Sequence, residues 1–316
     1  MAEQVPTIDD VLACPKTWQR ARLNMDFWKP ILRPICQRHN LLTEVVPFQA
    51  GSAAVFSSGS TVIKVYHPAD LEDCQREICT LELIGNQINV AVPKVVATGK
   101  ERGLSYLVMT KLPGIPMIEC WQDIPAAERV ELLEKLGVTT RKLHEIETPE
   151  DSILFVDTEA FITEQKKSAH ERQRVHKLPS PWLEQINGFL DSVDLIDVKS
   201  ALLHTEIMRD HVLVSQQGNK WELSGIFDFA ESMTLPVEYE FASVGLFVSQ
   251  GNSQLLRSFL LAYGYEESEL DIELSKRLLV YSLLHRYANL SWYLEIMPPK
   301  TGEESLENLA KRWFSL

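Results

Sequence analysis

The run LLHTEIMRDHVLV at 202–214, followed by GIFDFAES at 225–232, constrains this chain more than any other feature. The first run sets His204, Glu206 and His211 between two apolar, strand-like stretches. The second delivers Asp228 at the end of another such stretch. A carboxylate there is costly to bury without a cation or several donors. Phosphoryl transfer needs that set of parts: a carboxylate to orient the attacking hydroxyl, and hard ligands to hold Mg²⁺ on nucleotide phosphates. A turn-capping role for Asp228 is the bland alternative.

With 316 residues the chain can bury a large core, and two lobes are expected. At 45% hydrophobic and 24% charged residues, wholesale disorder is excluded. The net charge of −13 disfavours nucleic acid or an anionic membrane as partner and mildly favours a cationic small molecule. No run approaches the ~20 apolar residues of a membrane-spanning helix, and MAEQVPTIDD lacks the apolar centre of a signal peptide. Cysteines 14, 36, 74, 79 and 120 show no metal-ligand spacing, so reduced thiols in a cytoplasmic protein are expected. A monomer or weak homodimer is the expected state.

Periodicity divides the chain into a helical extension over 1–42, a small lobe over 43–110, a hinge at 111–117 and a helical large lobe over 118–316. Pro30 and Pro34 are expected to interrupt the extension. The small lobe reads as five short strands and one helix, with SSGS and KERG as turns. In the large lobe, helices are expected near 124–147, 158–175, 181–193, 236–249, 252–263, 271–293 and 303–314, around the two motifs.

Lys64 lies inside TVIKVY, where it must snorkel or find an anion. Glu77 shares the inward side of the following helix with Cys74 and Leu81, and so is placed to pair with it. Gly51, in FQAGSAAVF, offers backbone freedom for close approach to phosphate, although a lone hairpin glycine is as readily a plain turn. Arg209 reads as a surface arginine before one that reaches a γ-phosphate, and the basic stretch 164–177 as a solvated helix face or a lid. Tyr281, His285, Tyr287, Trp292 and Tyr293 form an aromatic stripe, either core or the wall of an acceptor pocket.

The two motifs resemble the catalytic and metal-binding loops of the aminoglycoside phosphotransferases. Those loops read His-Gly-Asp, four residues, Asn, and then Ile-Asp-Phe-Gly or Ile-Asp-Trp. The spacing fits, with Glu206 in the place of the catalytic Asp, His211 in that of the metal-binding Asn, and Ala230 in that of the glycine. The resemblance implies an α+β, two-lobed protein-kinase-like fold, with a small, mainly antiparallel amino-terminal lobe and a larger helical carboxy-terminal one. It implies ATP- or GTP-dependent phosphorylation of a hydroxyl on a small molecule, an aminoglycoside or related aminosugar. Glu206 and Asp228 are then the catalytic pair, and Asp228 with His211 the ligands of Mg²⁺ or Mn²⁺. Lys64, Glu77, Gly51, Ser52, Met109 and Lys111 would hold the nucleotide, while Glu240 and His204 would support the catalytic loop. Two other readings stand beside this one: a catalytically silent nucleotide- or ligand-binding module, and nucleotidyl transfer on the same fold.

Overall fold

The computed structural model describes residues 7–195, 199–302 and 304–316. The first six residues of the expected extension and the first residue of the expected helix 303–314 lie outside them. Two compact units emerge: Met1–Gly85 with Val92–Leu112 and Asp228–Ala230, and Asn86–Ala91 with Pro113–Phe227 and Glu231–Leu316.

In the first unit three helices, α1 (Ile8–Ala13), α2 (Pro15–Ala21) and α3 (Met25–Arg38), precede β1 (Val46–Pro47), β2 (Ala54–Ser58) and β3 (Thr61–Tyr66). Then come α4 (Leu71–Ile84), β4 (Val95–Glu101) and β5 (Leu104–Thr110). The strands form one antiparallel sheet in the order β1-β2-β3-β5-β4. Arg102 (φ 50°) and Gly103 (φ 82°) close the β4–β5 hairpin, with Glu101 opposite Leu104. Positive φ at both loop residues gives a twist that matches the strands it joins.

Alternation along β3 sorts its side chains. Ile63 and Val65 join a core with Trp18, Phe27, Trp28 and Ile31 of the preceding helices. Lys64 and Tyr66 take the opposite face, where both reach Glu77 on α4. The amino-terminal helices thus complete the core of this unit. Helix α3 runs unbroken through Pro30 and Pro34, against the sequence expectation. Each proline forfeits one backbone bond, but the carbonyl freed by Pro30 belongs to exposed Asp26, where water can serve it. Burial of Phe27, Trp28, Ile31, Leu32, Ile35 and Cys36 along the other face outweighs that loss.

The second unit begins with β6 (Ile115–Pro116), α5 (Met117–Cys120), α6 (Ala126–His144), α7 (Thr158–Val175), α8 (Ser180–Leu183) and α9 (Ile186–Ser192). Strands β7 (Ser200–Leu203), β8 (Val212–Gln217), β9 (Lys220–Ile226) and β10 (Met233–Pro236) follow. Helices α10 (Val237–Ser243), α11 (Ser253–Tyr263), α12 (Ile272–Leu284), α13 (Leu290–Ile296) and α14 (Leu306–Trp313) complete it. A π-helical turn, Val244–Ser249, continues α10. The strands pair as β6-β8-β9 and β10-β7, so 204–211 is the loop from β7 to β8. Helices α6 and α11 approach closely at Gly137, where a Cβ would fall 2.3 Å from the Phe259 carbonyl oxygen. The helix expected over 271–293 is two helices. His285 turns extended at ψ 139°, and the Asn289 side chain caps a new start by accepting from the Trp292 N–H at 3.1 Å.

Candidate active site

In the first unit the structure brings together Lys64, Glu77 and Asp228. The Lys64 Nζ donates to Glu77 Oε2 and to Asp228 Oδ1, each at 2.7 Å. Lys64 is 5% exposed and Glu77 fully buried, whereas the Asp228 side chain is 34% exposed. Burial opposes the ammonium, but the carboxylates of Asp228 and Glu77 outweigh it and hold the lysine above its usual pKa. Lys64 is therefore a fixed cation. The Tyr66 hydroxyl donates to the same Glu77 oxygen, and burial with the adjacent Glu77 charge pushes the phenol pKa well up. Glu77 Oε1 has no hydrogen-bond partner among the described residues. The sequence reading passed over Tyr66; its place two residues after Lys64, on the same face of a strand, was the signal.

Asp228 adopts φ 70°, a left-handed conformation uncommon outside glycine but tolerated by Asp. Gly51 has φ 86° and open space at its Cβ position, in the loop between β1 and β2. The Ser52 carbonyl accepts from Gln19 at 3.1 Å. Met109 lies buried on β5 opposite Val62. Lys111 donates to Ser57 Oγ at 3.1 Å and lies over the Phe48 ring.

In the second unit the β7–β8 loop is held from several sides. Buried Glu240 accepts the His204 N–H at 2.6 Å and the Thr205 N–H at 3.1 Å. Burial works against its charge, but His144 and His204 together with the Thr205 amide keep the carboxyl below its usual pKa. The His204 Nε2 faces the Phe227 carbonyl at 2.9 Å, so it must donate; its Nδ1 then accepts the Glu206 N–H at 3.3 Å. By the same logic His211 Nδ1 donates to the Glu206 carbonyl at 2.9 Å. Thr205 sits at φ 72°, strained for a β-branched residue, and its hydroxyl donates to the Glu231 carbonyl at 3.1 Å.

Arg209 is buried, which corrects its reading as a surface group. Its guanidinium donates from Nε to the Val248 carbonyl and from Nη1 to Gln250, both at 3.0 Å, and stacks 3.9 Å from the Trp121 ring. Helix α7, over 158–175, is seated rather than loose. Buried Gln173 donates to the Ala288 carbonyl at 3.0 Å and accepts the Leu290 N–H at 2.8 Å.

Glu206 opens onto a cavity of about 80 Å³ lined by Tyr239, Tyr281, His285, Trp292 and Tyr293 among others. All five residues of the predicted stripe, Tyr287 included, therefore line this space. Tyr281 is 1% exposed, and its hydroxyl has no partner among the described residues. Burial, with Arg172 nearby, lowers the His285 pKa to about 4, so its ring is neutral near pH 7.

Among the described residues no cluster of three or more His, Cys, Asp and Glu side chains could hold a metal alone. Mg²⁺ in nucleotide sites needs only one or two carboxylates, with phosphates and water completing its shell. A partly exposed Asp228 fits that requirement. The imidazole of His211 suits Mn²⁺ better than Mg²⁺.

A fixed lysine between carboxylates on a small antiparallel sheet, and a pinned loop carrying a carboxylate, define a protein-kinase-like phosphotransferase. The chain belongs to the phosphotransferase enzyme family, whose model matches residues 46–272. By class it is a small-molecule O-phosphotransferase. Its fold is shared with the GDP complex of aminoglycoside 2′-phosphotransferase-IIIa, at TM-score 0.69 and 15% identity over 85% of this chain and 96% of that one. It is shared with the streptomycin–ATP–APH(2″)-IIa ternary complex, at TM-score 0.59 and 17% identity over 84% and 95%. The apoenzyme of macrolide 2′-phosphotransferase MphH from Brachybacterium faecium gives TM-score 0.59 and 15% identity over 85% and 98%. No curated protein sequence matches the chain. Among the described residues no helix is long and apolar enough to cross a membrane.

Proposed function

We propose that the chain transfers the terminal phosphoryl group of ATP or GTP to a hydroxyl of a small molecule, an aminosugar among the candidates. The observation that carries this reading is Lys64, buried and bonded to both Glu77 and Asp228 at 2.7 Å. Burying Lys64 and Glu77 and drawing a partly exposed Asp228 onto the lysine is expensive, and a purely structural site gains little from it. A nucleotide gives the set a purpose, with Lys64 on its phosphates, Glu77 fixing the lysine, and Asp228 toward the metal. Complexes of the structural neighbours with GDP and with ATP agree with a nucleotide partner.

Glu206 orients the acceptor hydroxyl and takes its proton as the oxygen–phosphorus bond forms and the nucleoside diphosphate leaves. The aromatic cavity beside it receives part of the acceptor, and the Tyr281 hydroxyl supplies an unused hydrogen-bonding group there. Mg²⁺ held by Asp228 and the phosphates would neutralise charge developing on the transferred group.

A silent module is the second reading, favoured by His211, whose Nδ1 pins the Glu206 carbonyl. Thermal shift with ATP and GTP, with and without Mg²⁺ and Mn²⁺, tests the nucleotide site. Metal-dependent stabilisation of wild type that Asp228→Ala loses is the expected result. Equal stabilisation of both proteins would remove Asp228 from the site.

A further inference from the structure

The loop between β1 and β2 is held by a residue that precedes the family match. Arg22, just after α2, lies outside residues 46–272. Its Nη1 donates to the carbonyls of Phe48 at 3.0 Å and Ala50 at 3.2 Å, and its Nη2 to that of Gln49 at 2.7 Å. Gln19, one turn earlier, donates to the Ser52 carbonyl at 3.1 Å. Four carbonyls of one exposed loop are thus turned toward α2 and its end.

Peptide geometry converts this into a statement about the other side of the loop. In a trans peptide the C=O of one residue and the N–H of the next point in opposite directions. No described peptide bond is cis. Drawing carbonyls 48, 49 and 50 to the guanidinium therefore aims the N–H groups of Gln49, Ala50 and Gly51 away from it. Those three N–H groups meet no acceptor among the described residues. Successive unpaired N–H groups facing one way make an anion-binding nest. Gly51, at φ 86° with nothing within 4 Å of its Cβ position, leaves the approach open.

We infer that Arg22 is a positioning residue for the nucleotide. It turns the β1–β2 loop so that the amides of Gln49, Ala50 and Gly51 face the phosphates, with Gln19 extending the hold to Ser52. The inference rests on the nucleotide-dependent reading above. A planar guanidinium suits the task because it presents several donors in a fixed fork, whereas an ammonium is a single point. A chain lean in glycine can in this way form an amide nest by pulling on carbonyls. The helical prefix then serves nucleotide binding as well as the core.

Two measurements on the full-length protein test this: ¹⁵N relaxation of residues 49–51 without nucleotide, and calorimetric Kd for Mg·ATP and Mg·GTP. The proteins are wild type, Arg22→Ala, Arg22→Lys, Gln19→Ala and, as control, Arg20→Ala, whose side chain is exposed on the same helix. In wild type the loop amides should have order parameters near the rigid ~0.85, falling toward ~0.6 in Arg22→Ala. Nucleotide Kd should rise about tenfold in Arg22→Ala, less in Arg22→Lys and Gln19→Ala, and stay unchanged in Arg20→Ala. If Arg22→Ala disrupts the prefix, seen as altered Trp18 and Trp28 fluorescence, Arg22→Lys and Gln19→Ala decide. A mobile loop with unchanged Kd overturns the inference, as does a loop equally rigid in every variant. Wild type that binds neither nucleotide overturns the phosphotransferase reading and, with it, the loop's proposed purpose; the relaxation contrast then still judges the clamp itself.

Discussion

Lys64 carries most of the consequence at the scale of single residues. With Glu77 fully buried and one of its oxygens unpartnered, removing the lysine strands a carboxylate in the core. Lys64→Ala should cost about 3 kcal/mol of stability in denaturant unfolding. Lys64→Ala/Glu77→Ala should be no less stable than Lys64→Ala, because the second change removes the stranded charge. Simple additivity of the two single losses would show that the pair is not coupled. His211 offers a second test. Its Nδ1–H holds the Glu206 carbonyl at 2.9 Å, a bond that an asparagine amide can replace and a methyl group cannot. Unfolding midpoints should place His211→Asn within about 0.5 kcal/mol of wild type and His211→Ala about 1 kcal/mol lower.

Among the elements, α6 and α11 approach closely at Gly137. Gly137→Ala gains helix propensity, yet its methyl would lie 2.3 Å from the Phe259 carbonyl, backbone that cannot simply turn aside. Thermal unfolding should show a net loss of about 1–3 kcal/mol, as for other overpacked contacts. A stabilised variant would mean that the helices part readily. Much of this architecture was legible in the sequence, because the β-branched and aromatic run TVIKVY and helical periodicity in 71–84 each have one dominant cause. What escaped depended on partners distant in sequence. MTLP becomes β10 only because β7 lies alongside it. Burial carries α3 past two prolines, and the break at His285–Asn289 rests on a cap that an otherwise apolar run concealed. Arg22 escaped as well, since nothing local marks an arginine that binds backbone carbonyls 26–28 residues away.

For the whole molecule, pH is the simplest probe of how buried groups are balanced. The His285 pKa falls to about 4, from an ordinary unfolded value near 6.5, because burial and Arg172 disfavour the imidazolium. Its contribution to stability is complete above pH 6.5 and is lost as pH falls through 4. Wild type should therefore lose stability between those values, and His285→Asn should show a shallower decline. Because His285 is only partly buried, the difference should be less than the full linkage value. Equal slopes would mean that other groups set the acid limb. The kinase-like architecture follows from the order of the two motifs and the strand lysine. The candidate site residues were legible as positions, whereas Thr205 at φ 72° and the proposed amide nest arise only from tertiary geometry.

The central claim is that Glu206 serves phosphoryl transfer to a small acceptor. Product formation from γ-labelled ATP and GTP should be measured for wild type and Glu206→Gln against a panel of aminosugars, with Mg²⁺ and with Mn²⁺. Wild type should transfer label to at least one acceptor. Glu206→Gln should lose turnover by roughly 10²-fold or more while its nucleotide affinity stays nearly unchanged, because the carboxylate acts on the acceptor. Equal turnover in the two proteins, or no product from wild type with any acceptor, would contradict the account.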